Sequence, residues 1–158
     1  MRRRPRSAAL LRLGYRAAYV ALGVWARVVG PTSHGVKCLV RDSEGRVLFV
    51  RHQYGSRAHW ELPGGGIRRG ESPAAAAARE GWEELGVSAV SWAEAGRAAG
   101  RWYGHEHVLT IFAAEGWHGP LRLDPVEIAV AQWFPLSDPP SPLGPTTAAA
   151  LDVLRASA

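Results

Sequence analysis

The chain has 158 residues, 47% of them apolar, and a formal net charge of +5 with a pI near 10.1. That length supports one domain with a sizeable core and no need for a second, and the single cysteine excludes an intramolecular disulfide. The basic excess is carried by arginine, with Lys37 the only lysine, and it favours anionic partners such as nucleotides, nucleic acid or membrane surfaces.

Met1 to Arg6 is a basic tail, and much of the excess charge lies within the first 16 residues. Ala8 to Val29 follows as a candidate helix, with Arg12, Arg16, Gly23 and Arg27 near one narrow face and apolar residues elsewhere. Arginines interrupt every long window, so a transmembrane span is not expected, and no small-residue cleavage site marks a signal peptide. Two readings stay open. The helix packs on its own domain or a sister subunit, as in a homodimer, or it lies as a basic amphipathic helix on an anionic membrane surface. Gly30-Pro31-Thr32-Ser33 breaks it and divides residues 1–33 from a domain over 34–156.

Gly35 to Arg41 and Arg46 to His52 read as apolar strands joined through Asp42-Ser43-Glu44-Gly45 into a hairpin. Leu39, Val47, Phe49 and Val50 are core candidates. Cys38, in the same apolar run, reads as a core thiol and is compatible with a reducing, cytoplasmic compartment. Arg51 and Arg57 flank a polar loop from Gln53 to His59, as surface charges or as contacts to a phosphate or base. Trp60 to Leu62 forms a short strand that feeds a turn of three glycines, Gly64 to Gly66.

The next stretch carries the strongest local signal. Ser72 is a good N-cap, Pro73 suits the first helical position, Ala74 to Ala78 are strong helix formers, and Gly86 stands where a C-cap glycine belongs. On that helix Glu80, Glu83 and Glu84 share a face and repel one another. Arg79 can pair with Glu83, but one arginine does not neutralise three carboxylates. Either the charges are solvated on an ordinary surface helix, or a cation sits among them. Hard divalent ions take oxygen ligands, and magnesium is often held by a few carboxylates plus substrate phosphates. The glycines Gly64, Gly65 and Gly66 let backbone groups approach such an ion or phosphate.

From Gly65, five residues precede Glu71, seven more precede Arg79-Glu80, then two precede Glu83-Glu84 and one precedes Gly86, with Val87 closing the pattern. This spacing resembles the Nudix box of the Nudix hydrolase superfamily, and Trp60-Glu61-Leu62-Pro63-Gly64 is similar to its usual lead-in. One position departs. Gly81 stands where the family normally has an aliphatic residue, at a helix cost of about 1 kcal/mol relative to alanine.

Past the box, Ser88 to Ala99 and Val108 to Glu115 read as strands around a loop, Arg101 to His107, rich in aromatic and titratable groups. Trp102 or Tyr103 is either a half-buried packing residue or a base-stacking platform. His105 and His107 alternate along an extended segment without a third soft ligand, which favours surface or supporting roles. Ile128 to Phe134 is a strand preceded by Glu127. A proline-rich stretch follows, and Thr146 to Arg155 makes a closing amphipathic helix.

The resemblance covers about residues 34 to 156. It implies an α/β (α+β) Nudix fold, a mixed β-sheet sandwiched between α-helices, here with an added N-terminal helix. It implies hydrolysis of a small nucleoside diphosphate linked to another moiety, with Mg2+ (or Mn2+) held by Glu80, Glu83, Glu84 and the Gly65 carbonyl. Water would attack phosphorus, and Glu83 or Glu127 would accept its proton. Arg79 would orient the cluster, Glu71 would support it by hydrogen bonding, and Arg51, Gly64, Gly66 and Tyr103 are candidates for contacting substrate. Nucleic acid is not required. Two other classes remain open: a nucleotide-binding regulator with negligible hydrolysis, and an RNA 5'-end pyrophosphohydrolase.

Overall fold

A computed structural model describes residues 32–55, 57–102 and 104–157. The expected N-terminal helix therefore lies outside the described residues, as does Tyr103. The elements run β1 (Ser33–Leu39), β2 (Val47–His52), α1 (Pro73–Leu85), β3 (Ser91–Trp102), β4 (His105–Glu115), β5 (Ile128–Phe134) and α2 (Pro145–Ala156). One sheet has the order β1-β4-β3, with β1 parallel and β3 antiparallel to β4; a second pairs β2 with β5 antiparallel.

Alternation along the strands builds two cores. Val36, Cys38 and Val40, with Leu48 and Val50, pack against Ala76, Ala77 and Leu85 of α1. Their sequence neighbours Leu39, Val47 and Phe49 point the other way, onto Ala150, Leu151 and Leu154 of α2. The sheets are thus held between two helices, and the mixed sandwich expected from the sequence is present. Leu39, Val47, Phe49 and Val50 are all essentially inaccessible to solvent. Cys38 is buried, its thiol near the Ala77 carbonyl, and burial pushes that thiol far up.

The expected β1–β2 hairpin forms only beside its turn, where Arg41 and Val47 make an antiparallel bridge. Gly45 N–H donates to the Asp42 carbonyl, Asp42 N–H to the Arg46 carbonyl and Leu48 N–H to the Val40 carbonyl, each at 3.0 Å, and beyond that point the strands enter different sheets. The segment carrying the glycines separates them. Val50 and Glu61 exchange backbone hydrogen bonds on one side, while Val36 N–H and Cys38 N–H donate to the Gly65 and Pro63 carbonyls on the other. Trp60 to Leu62 accordingly makes only bridges, to Val50 and Leu143, rather than a strand. The loop expected from Arg101 to His107 is also mostly strand, because β3 and β4 continue pairing until Trp102 faces His105.

Helix α1 has the predicted ends. The Ser72 hydroxyl accepts the Ala75 N–H at 3.2 Å, and Gly86 closes the helix at φ 67. Gly81 has a local partner: a Cβ there would stand 2.6 Å from the Trp92 ring, so the indole fills the space a larger side chain would occupy.

Candidate active site

The wedge between β1 and β2 fixes the glycine corner against the C-terminal half of α1. Gly64 lies at φ 136, where a Cβ would strike the Val36 carbonyl. At Gly65 a Cβ would come within 2.5 Å of the Glu80 carboxylate. Glycine is required at Gly64, where strand backbone leaves no room for a Cβ, whereas at Gly65 the crowding comes from the movable end of the Glu80 side chain.

A cleft of about 500 Å3 opens at this corner, with Glu80, Glu83, Glu84 and Glu127 in its walls. Glu84 is 1% exposed and accepts the Gly64 N–H at 3.0 Å. Burial pushes its carboxyl up to about 8 against that hydrogen bond, and Glu80 and Glu127 add to the rise. Burial likewise raises Glu80 despite the Arg79 contact, with Glu83 and Glu127 again contributing. Glu127 therefore joins the box carboxylates in space although it lies 43 positions beyond Glu84 in the chain.

Arg79 ties the rim together. Its Nε and Nη2 donate to the two Glu71 oxygens at 2.8 and 3.0 Å, Nη1 to Glu80 and Glu83 at 2.6 and 3.1 Å, and Nη2 also to the Gly66 carbonyl at 2.9 Å. This guanidinium holds the Glu71 carboxyl down at about 2, and its own pKa is raised, chiefly by Glu71. Glu83, with a side chain 45% exposed, also meets Arg68 at 3.2 Å.

Three further residues in the cleft were not singled out from the sequence as site residues. His52 Nδ1 is buried without a hydrogen-bond partner, 3.8 Å from Glu84 Oε1. Burial, helped by Lys37, pushes its pKa down to about 4, so at neutral pH this contact is not an ion pair. Lys37 donates to Glu61 Oε2 at 3.0 Å and to the Leu62 carbonyl at 3.2 Å, and Glu61 also accepts from Thr147. Burial opposes ionisation of Glu61, but Lys37 and Thr147 hold its carboxyl below the usual range. A lone lysine in an apolar strand was the available signal for Lys37. His52 gave none, since its role depends on the path of β2.

Arg51 stands apart from these residues. It is not among the residues lining the cleft; its guanidinium stacks on the Trp60 ring at 4.5 Å, because successive strand residues face opposite ways and His52 takes the cleft side. Arg57 donates to the Gln53 carbonyl in its own loop. Gly64, Gly65 and Gly66 all line the cleft, though the Gly65 carbonyl already accepts the Val36 N–H at 2.9 Å.

The donor set matches a hard divalent ion: several carboxylates and a backbone carbonyl, two of the carboxylates raised in pKa by burial and mutual crowding. Among the described residues, however, no three His, Cys, Asp or Glu side chains stand close enough to enclose a metal as they are. Arg79 bridges Glu80 and Glu83, and Gly64 draws Glu84 aside. Each carboxylate has lone pairs beyond those contacts, so the chemistry fits and the geometry requires side-chain adjustment. No described helix is long and apolar enough to cross a membrane.

Residues 31–155 match the NUDIX domain family. Over 53 residues the chain is 40% identical to an RNA pyrophosphohydrolase of Roseobacter denitrificans, covering 34% of this chain and 33% of the relative. Over 54 residues it is 43% identical to the phosphatase NudJ of Escherichia coli K12, covering 34% and 35%. The chain thus spans about a third of the length of these curated relatives. Among solved structures, a MutT NUDIX hydrolase from Burkholderia pseudomallei superposes with TM-score 0.70 at 26% identity, covering 78% of this chain and 98% of that one. A MutT protein from Methanosarcina mazei Go1 gives 0.67 at 25% identity, covering 81% and 94%. With the family match extending across both sheets and both helices, the chain belongs to the Nudix family.

Proposed function

We propose that the chain is a pyrophosphohydrolase that cleaves the anhydride of a nucleoside diphosphate linked to another moiety. The observation that carries this reading is the gathering of Glu80, Glu84 and Glu127 about the Gly64–Gly66 corner in one cleft, with Glu83 at its rim. Glu80, Glu83, Glu84 and the Gly65 carbonyl would hold Mg2+ or Mn2+, which neutralises phosphate charge and acidifies a water. Glu83 or Glu127 takes the proton of the attacking water. Arg79 keeps Glu80 and Glu83 in register, and Glu71 braces Arg79 from the far side. The buried thiol Cys38 is compatible with a reducing compartment such as the cytoplasm.

A magnesium-dependent screen over nucleoside triphosphates, dinucleoside polyphosphates, nucleotide sugars and ADP-ribose, read by product identity, tests this. Turnover of at least one is expected; nucleotide binding without hydrolysis of any would support a regulator instead. The intact carboxylates argue against that outcome. Glu127→Gln should flatten the acid limb of the pH–rate profile, and an unaltered profile excludes Glu127 as the base. A second reading, action on RNA 5' ends, is favoured by the name of the Roseobacter relative and by the basic N-terminal residues. Affinity for 5'-triphosphate RNA that falls steeply with salt would support it.

A further inference from the structure

Lys37, the chain's only lysine, is buried at the boundary of two cavities. One is the carboxylate cleft. The other, about 230 Å3, lies beyond the glycine corner between the starts of β1 and β4, with Ser33, His107 and Leu109 in its walls. Lys37, Gly64 to Gly66 and Thr146 line both. An ammonium has three donors. Two are taken, by Glu61 and the Leu62 carbonyl, leaving one. Of the cleft's other cations, Arg79 has all three guanidinium nitrogens engaged by Glu71, Glu80, Glu83 and the Gly66 carbonyl, and Arg68 pairs with Glu83 from a side chain 63% exposed at the rim, away from the buried junction. Packing alone gives little reason for a lysine here, since replacing a buried ion pair by apolar side chains is often neutral or stabilising.

We propose that Lys37 is a phosphate-binding residue whose remaining N–H meets a phosphoryl oxygen at the junction of the two cavities, and that it thereby fixes which phosphorus faces the carboxylates. This rests on the hydrolase reading above. A diphosphate laid across the junction has one phosphoryl group on the carboxylate side and the other beside Lys37, with the attached organic group directed into the second cavity. Water then attacks the phosphorus on the carboxylate side. The bond from that phosphorus to the bridging oxygen breaks, and the bridging oxygen leaves with the phosphoryl group held by Lys37.

The test uses Lys37→Met and the double variant Lys37→Met/Glu61→Gln, which removes both charges together and leaves no buried carboxylate unpaired. The probe is methylenediphosphonate, a non-hydrolysable diphosphate carrying no nucleoside, titrated by calorimetry with magnesium present. Both variants should bind it about tenfold or more weakly than the wild type, the scale of a lost charge-assisted hydrogen bond, with thermal melts confirming that they fold. Hydrolysis in 18O-water of whichever substrate the screen identifies should label one phosphoryl product in the wild type and both in the variants. Unchanged phosphonate affinity and an unchanged label position in the folded double variant overturn the assignment while leaving the hydrolase reading standing. A wild type that turns over no substrate and does not bind the phosphonate overturns both.

Discussion

The rim and the floor of the cleft begin one residue apart on α1, at Glu83 and Glu84, and end in opposite surroundings. Glu83 keeps a side chain 45% exposed between Arg79 and Arg68, whereas Glu84 is 1% exposed under the glycine corner, beside an uncharged His52. At the rim, the guanidinium holds Glu71 ionised down to about pH 2; at the floor, burial keeps Glu84 protonated up to about pH 8. A helical turn can align carboxylates, but what covers them sets their charge state.

The sharpest way to break this comparison is to neutralise each side separately. Glu83→Gln and Glu84→Gln should each lower turnover by about a hundredfold or more, measured by steady-state kinetics at saturating magnesium. Their stabilities should diverge. In metal-free protein Glu84→Gln should melt no lower than wild type, because a neutral amide replaces a crowded buried acid. Glu83→Gln should melt slightly lower, having weakened contacts to two arginines. Equal turnover in either variant removes that residue from the site.

Arg79→Lys should lower turnover about 10- to 100-fold, because an ammonium cannot reproduce the fork that spans Glu71, Glu80 and Glu83. Wild-type kinetics in this variant would show that the carboxylates hold position unaided.

The two regions should also respond to acid with opposite signs. Glu71 has a folded value near 2 against an ordinary 4.5, so its contribution is full above about pH 4.5 and is lost as pH falls toward 2. Glu84 is raised from 4.5 to about 8, so the folded state loses stability as pH rises between those values. Denaturant melts in EDTA should therefore show Glu71→Gln destabilising most above pH 4.5, and Glu84→Gln most stabilising at pH 8 and above. Parallel curves would dissolve the distinction between rim and floor.

The smallest effect concerns Gly81. In an open helix Gly→Ala gains about 1 kcal/mol, but here the new Cβ meets Trp92 at 2.6 Å. Gly81→Ala should gain nothing, or lose up to about 1 kcal/mol, in a denaturant melt, and Trp92→Leu in the same chain should restore the gain.

Much of the site was legible because it is local. Ser72, Pro73 and Gly86 bound the helix, the intervals among Arg79, Glu80, Glu83 and Glu84 are set by helical geometry, and Glu71 stands one residue before the N-cap on the same continuous stretch. Glu127 was found through a family likeness rather than a local rule, since proximity to Glu84 depends on how β5 pairs with β2. The position of Arg51 was not legible because a strand shows two faces and the sequence does not say which one meets the cleft. Lys37, His52 and Glu61 were passed over for the same reason. The hairpin between β1 and β2 stops short: Val40 and Leu48 still pair beside the turn, but farther along β1 the Cys38 and Val36 N–H groups donate to the Pro63 and Gly65 carbonyls instead.

By itself the sequence determined the helix, its caps, the spacing of its acids and the apolar alternation of β1 and β2, because propensity and periodicity act over a few residues. Only the tertiary structure decided that the glycine corner separates two sheets, that Glu84 is buried while Glu83 is not, and that the lone lysine stands between two cavities. Those outcomes depend on which distant backbone donors and acceptors pair and on what solvent is excluded, and neither is fixed until the strands have met.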